Sequence, residues 1–156
     1  MFRTLLAAGS LLALSTTMVM AEDVGSVDTT FRIAGSNDKI AVEVFDDPGV
    51  NGVSCYLSRA RTGGLNPFAT DPSDASVACR QISAQVSFPA PIPQTESVFS
   101  ERASFLFKHV HVTRMVDSKR NVLIYLVHSD KLIDGSPKNS VTAVPSSKET
   151  PIPLKK

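Results

Sequence analysis

Apolar and polar residues alternate along much of this chain with a period of two, the spacing that lays every second side chain on one face of a β-strand. The first such run is VDTTFRI, with Val27, Thr29, Phe31 and Ile33 on one face. After the turn-like GSND, Ile40, Val42 and Val44 share one face and Ala41, Glu43 and Phe45 the other. Residues 46–52, DDPGVNG, are dense in turn formers, and Asp47-Pro48-Gly49 has the chemistry of a tight turn. A third strand resumes at Val53 and runs to Leu57. Short β-rich runs separated by turn signals form the usual antiparallel pattern.

The stretch RTGGLNPFATDPSD then reads as a long loop, closed by Ser73-Asp74, which can cap a short helix over 75–82, ASVACRQI. In SFPAPIPQTE, Pro89, Pro91 and Pro93 occupy alternate positions, which favours an extended polyproline segment or an edge over a central strand. The strongest element is SFLFKHVHVTRMVDSKRNVLIYLVHSD, residues 104–130. Two runs rich in Val, Ile, Phe and Tyr flank the polar DSKRN and predict a β-hairpin, and VLIYLV, apolar on both faces, predicts a central strand. The end, 146–156, is Pro-rich and polar, a composition expected to be poorly ordered. The expected fold is mainly β: a single-domain antiparallel sheet or sandwich over 22–145 with one or two short helices. An α+β arrangement is the alternative.

The N-terminal MFRTLLAAGSLLALSTTMVMA changes the setting. Arg3 supplies a positive start, Leu5 to Leu14 an apolar segment, and Val19-Met20-Ala21 a small-residue cleavage site. Gly9, Ser10, Ser15, Thr16 and Thr17 break up the run, which stops short of the ~20 residues that span a bilayer. This reads as a signal peptide, 1–21, cleaved before Glu22, with no stable membrane anchor left behind. Arg3 is the only charged residue in that leader, and the whole chain has 16 Lys and Arg against 15 Asp and Glu. The mature chain is therefore balanced, without the basic excess that phosphate neutralisation demands of a nucleic-acid binder.

Export also decides how the cysteines are read. Cys55 and Cys79, the two in the chain, are expected to form a disulfide in an oxidising compartment. Closing a loop of about 25 residues contributes roughly 3–4 kcal/mol on chain entropy. No Cys-x-x-Cys is present, which disfavours a thioredoxin-type catalyst.

Two groups of residues could carry chemistry. Along the row begun by Val53, Cys55 and Leu57 come Arg59 and Arg61, followed by Gly63 and Gly64. Two guanidinium forks beside a glycine turn that exposes backbone N–H groups suit a carboxylate or phosphate; solvated or internally paired arginines are the plainer alternative. If Asp117 pairs with Arg120 across the hairpin turn, His109 lies opposite His128, with His111 on the same face as His109. Three imidazoles together are a weak candidate for zinc or copper, and the reading depends on register. Catalytic signatures such as Gly-x-Ser-x-Gly or His-Glu-x-x-His are absent from the sequence. Asp46-Asp47 sits in a turn beside proline, where a structural role is expected.

GSVDTTFRI, IAVEVFDDPGVNGVSCYLSRARTGG and SFLFKHVHVTRMVDSKRNVLIYLVHSDKLIDGSPKNSVTAVP, behind the leader, resemble the CreA family of small exported bacterial proteins over about 25–145. The resemblance implies a periplasmic protein. It brings no assigned molecular activity, catalytic residue or cofactor. The expected function is a non-catalytic binding or accessory module for a small anion or a protein partner; a small envelope enzyme or a metal-binding protein using His109, His111 and His128 is the alternative. Intact-mass measurement of the exported protein without reductant should give Glu22 to Lys156, lighter by the pair of hydrogens lost in a closed disulfide. An uncleaved N-terminus or two free thiols would refute the export reading.

Overall fold

The computed structural model describes residues 19–63, 75–102, 109–130 and 138–156. Residues 1–18 of the leader, the cap at Ser73-Asp74 and the candidate Gly64 lie outside them. The described elements are β1 (Glu22–Asp28), β2 (Lys39–Asp46), β3 (Val53–Arg61), β4 (Ala75–Gln81), β5 (Thr95–Arg102), β6 (His109–Asp117), β7 (Val122–Ser129) and β8 (Asn139–Pro145). They form two four-stranded sheets, each with its strands in chain order. Every neighbouring pair is antiparallel, so each sheet is an up-and-down meander. The mainly β architecture is as the alternation requires. No helix among the described residues is long and apolar enough to cross a membrane.

The helix expected over 75–82 is instead strand β4. Ala75, Val77 and Cys79 are buried while Ser76, Ala78 and Arg80 are exposed. That period of two fits a sheet, and pairing with β3 overrides the local capping signal. The first strand also differs from its pattern. β1 ends at Asp28, and Phe31 and Ile33 stand in the loop before β2. The proline segment agrees with its reading: it makes only isolated bridges, Asn51 with Ser87 and Ile92 with Leu154.

Between the sheets lies one apolar core, to which Phe45, Leu57 and Val77 contribute from the first sheet and Phe99, Val112, Leu123 and Val127 from the second. Cys55 and Cys79 face each other directly across β3 and β4, fully buried, and their sulfurs are bonded. On one side the sheets meet along β2 and β5, where the rings of Phe45 and Phe99 stack with centroids 4.5 Å apart. On the other side β4 meets β8, and the Val77 N–H donates to Ser140 Oγ at 3.0 Å. β1 lies beyond the β2–β5 seam, where among the described residues it packs beside β2 alone, and all its residues are exposed.

One cluster of buried polar groups forms at the β2–β3 turn. The guanidinium of Arg114, on β6, pairs with Asp47 and Glu96, and neither the Arg114 nor the Asp47 side chain touches solvent. Asp47 also accepts from the Tyr125 hydroxyl at 2.7 Å and from the Gly49 N–H at 2.8 Å. Burial, reinforced by the Asp47 charge, pushes the Tyr125 hydroxyl far above its ordinary value, so it stays a donor. A Cβ on Gly49 would sit 2.9 Å from Arg114 Nη1, so the glycine of the DPG turn is what lets the arginine approach.

The C-terminal segment, polar and Pro-rich, is held by Asn121. This residue has the left-handed φ of 57° that asparagine tolerates. Its Nδ2 donates to the carbonyls of Ser146, Ser147 and Thr150, and its Oδ1 accepts from the Ile152 N–H at 2.9 Å. Ile92 exchanges backbone hydrogen bonds of 2.9 Å with Pro153 and Lys155. Asn121→Ala should cost about 1–3 kcal/mol, combining an unfavourable left-handed Cβ with lost hydrogen bonds. Asn121→Gly keeps the backbone permissive and should fall between wild type and the alanine variant in urea unfolding. Equal loss in both variants would show that the φ contributes nothing.

Candidate functional site

The arginine row lies on the inner face of the first sheet, not in a loop. Strand β3 continues to Arg61, so Arg59 follows Cys55 and Leu57 inward and is 4% exposed. On β2 the same inward row carries Ala41, Glu43 and Phe45. The register places Arg59 opposite Ala41 and Leu57 opposite Glu43. Arg59 Nε donates to Glu43 at 2.9 Å, and Nη2 reaches both Glu43 and Glu101 of β5. The second oxygen of Glu43 accepts from Arg61. Two arginines thus meet two glutamates. Burial alone would lower the Arg59 pKa, but the hydrogen bonds and charges of Glu101 and Glu43 outweigh it and raise it, so the residue remains a cation.

Gly63 plays a different part from the one its sequence context suggests. Its N–H donates to Asp38 at 3.0 Å, and a Cβ there would lie 2.2 Å from the Asn37 carbonyl oxygen and 2.3 Å from that of Ser36. The glycine is where the chain leaving β3 passes against the β1–β2 loop.

The histidines do share one surface, the outer face of the second sheet, in a register two residues from the expected one. Asp117 pairs with Val122 and His111, not His109, lies opposite His128. A shift of two keeps every side chain on its face, so the grouping survives. His111 and His128 stack with centroids 5.3 Å apart, and His109 lies 5.9 Å from His111. The carboxylate of Asp130, just past β7, joins them. Its Oδ2 is 3.1 Å from His109 Nδ1 and its Oδ1 is 3.1 Å from His111 Nε2. His128 turns to Thr113 instead, Nε2 to Oγ1 at 3.2 Å. Burial would raise the Asp130 carboxyl, but the hydrogen bonds and charge of His109 and His111 outweigh it and hold it below the usual range.

The model for the family described as CreA protein matches residues 24–149, from β1 through the start of the C-terminal segment. The chain belongs to the CreA family. Protein CreA of Escherichia coli (strain K12) is 48% identical over 132 residues, covering 80% of this chain and 83% of the relative. Protein CreA of Escherichia coli O157:H7 matches with the same identity and coverage. No solved structure matches.

In this CreA-family chain the sequence reading missed three acids that complete the candidate groups: Glu43, Glu101 and Asp130. Glu43 carried a usable signal, because alternation sets it in the same row as Phe45. Asp130 showed only that it follows the hairpin near His128, and Glu101 carried no signal, since the contacts of both depend on how one strand meets another.

Arg59→Ala leaves Glu43 buried without its main partner and should cost about 3–5 kcal/mol in urea unfolding. Adding Glu43→Ala should recover part of that loss, giving a coupling well above zero. Additive losses would show that the pair does not interact. For Asp130, the lowered native pKa makes its contribution to stability complete above its unfolded value, near pH 4, and lost as pH falls through the native value. Asp130→Asn should remove that acid-range slope from a pH series of unfolding midpoints.

Proposed function

We propose that this CreA-family chain is an exported, non-catalytic accessory module that recognises a protein partner through the β1–β2 ribbon. The leader supports export to the periplasm. Arg59 and Arg61 are engaged by Glu43 and Glu101, so a small anion would have to compete with two carboxylates already in place. That favours the protein-partner branch of the expectation.

The observation that carries the reading is the display of Phe31 and Ile33, 88% and 98% exposed, on a loop that is itself tied down. Arg32 pairs with both oxygens of Asp38, at 2.9 and 2.8 Å. Its N–H donates to Asn37 Oδ1 at 2.8 Å, while Asn37 Nδ2 donates to Asp28 at 2.9 Å. The Thr29 N–H donates to the Asp38 carbonyl at 2.7 Å. Such a network fixes the backbone and leaves the two large apolar side chains outside it. Val27, opposite Ile40, and Tyr56 extend apolar surface over the outer face of the first sheet. Single exposed apolar residues are ordinary, but a loop held by this network and presenting two beside an apolar sheet face supports the reading of an interaction surface.

Charge and edge chemistry narrow the partner. Glu22, Asp23 and Asp28 lie on β1, an acidic strand that fits an apolar pocket with a basic rim. The bulge between Asp23 and Gly25 and these acids blunt the open edge against strand addition. Contact is therefore made through side chains.

Burying Phe31 and Ile33 on a partner would contribute about 1.5–3 kcal/mol each. Phe31→Ser with Ile33→Ser should leave the unfolding midpoint of the isolated chain unchanged within about 0.5 kcal/mol, since no native packing is lost. A photo-crosslinking residue at position 31, in cells that express the chain, should give one adduct of defined mass, lost with Ile33→Ser. The same residue at Lys119, exposed on the β6–β7 turn, should not give it. No adduct from position 31, or the same adducts from both positions, would reject the ribbon; an adduct of twice the chain mass would make the partner a second copy.

A further inference from the structure

We propose that His109, His111 and Asp130 form a binding site for a divalent transition-metal ion, zinc or copper(II), on the outer face of the second sheet. This does not rest on the partner surface at the opposite sheet. It begins with strand geometry. Residues two apart on a regular strand point the same way, so HVH on β6 presents both imidazoles outward with Val110 buried between them. The third donor comes from across the hairpin. The Asp130 N–H donates to the His109 carbonyl, which fixes where the Asp130 side chain leaves the backbone.

The donor atoms, one from each residue, all lie within 4.8 Å of one another. Both imidazole–carboxylate separations are 3.1 Å. In a tetrahedral site with bonds near 2.0–2.1 Å, ligand atoms are about 3.3 Å apart. The two contacts fall on different oxygens of Asp130, so an ion held by one of those oxygens would find one tetrahedral edge already near its length, with the other donor separations within 4.8 Å. An entering ion would take the lone pairs of His109 Nδ1 and His111 Nε2, with each imidazole proton carried on its other ring nitrogen. Neutral His109 and His111 and ionised Asp130 would then be the ligands.

The donor chemistry selects the class of ion. Two imidazole nitrogens and one carboxylate suit zinc and copper(II), whereas calcium and magnesium prefer all-oxygen shells. The three side chains are roughly a quarter to two-fifths exposed, at 35%, 25% and 38%. The site would be shallow and open on its solvent side, leaving a position for water or an exchangeable group.

Support around the ligands is also present. His128 stacks on the His111 ring at an interplanar angle of 25° while its Nε2 is engaged with Thr113. It holds the plane of a ligand without being one. The geometry thereby exchanges His128, grouped with the other histidines from sequence, for Asp130 in the donor set. β6 and β7 are the two central strands of their sheet, so neither ligand-bearing backbone is a free edge.

The test is isothermal titration of the mature chain, stripped with chelator and desalted, with zinc chloride and separately with copper(II) chloride. One ion per chain is expected. His111→Ala and Asp130→Ala should each weaken binding by more than about 100-fold, and His128→Ala by about 10-fold. Lys119→Ala should change nothing. Because a variant could misfold, zinc titration of the unaltered protein followed by NMR provides an independent readout. The ring signals of His109 and His111 should shift with bound fraction, ahead of any other residues. Absence of binding at micromolar ion would overturn the proposal. So would binding that survives His109→Ala with His111→Ala, or ring signals that do not move.

Discussion

Asp47 is buried beneath three donors, the guanidinium of Arg114, the hydroxyl of Tyr125 and the N–H of Gly49, and the relation of the two sheets depends on this arrangement. Taking a guanidinium and a carboxylate out of water is costly, and the cost is offset only when geometry and extra hydrogen bonds are nearly complete. Asp47 is in the turn of the first sheet; Arg114 and Tyr125 are on the central strands of the second. Sliding one sheet past the other would leave a buried charge unpaired, which no nearby apolar contact could compensate. The cluster therefore acts as a register pin between sheets that hydrophobic packing alone would hold less specifically.

The same logic repeats along the β2–β5 seam. Asp47 and Glu96 meet at Arg114 near one end, Phe45 stacks on Phe99 in the middle, and Glu43 and Glu101 meet at Arg59 near the other. An apolar centre between two charge clusters permits one alignment of the strands. It also sets what remains outside. Among the described residues β1 packs beside β2 and is exposed along its length, which leaves the apolar side chains of the ribbon exposed. On the second sheet the outward face of β6 and β7 carries the histidines. Both proposed surfaces thus follow from how the sheets close and not from special local structure.

Much of the architecture was legible in the chain. Alternation located β2, β3 and the β6–β7 hairpin, and DPG marked the turn that Asp47 and Gly49 build. The errors have distinct physical causes. ASVACRQI offered a capping signal and a helix-compatible composition, yet its alternate burial and its pairing with β3 make it a strand. VDTTFRI alternates as a strand would, but the loop network of Arg32, Asn37 and Asp38 ends β1 before Phe31. The hairpin register was off by two because DSKRN closes with Asn121 at a positive φ, a choice of turn that residue spacing does not reveal.

Within one strand, the sequence by itself determined which side chains share a face: Cys55 with Leu57 and Arg59, Glu43 with Phe45, His109 with His111. That knowledge is local, because the period of the backbone sets it. Only the tertiary structure decided which of those faces is buried, and which residue of a distant strand completes each group. Arg59 became an interior cation because Glu43 and Glu101 converge on it from two sheets. His109 and His111 became a donor pair for a carboxylate because the hairpin brings Asp130 back to them. Long-range pairing is governed by the summed packing of whole sheets, and no window of sequence contains that sum.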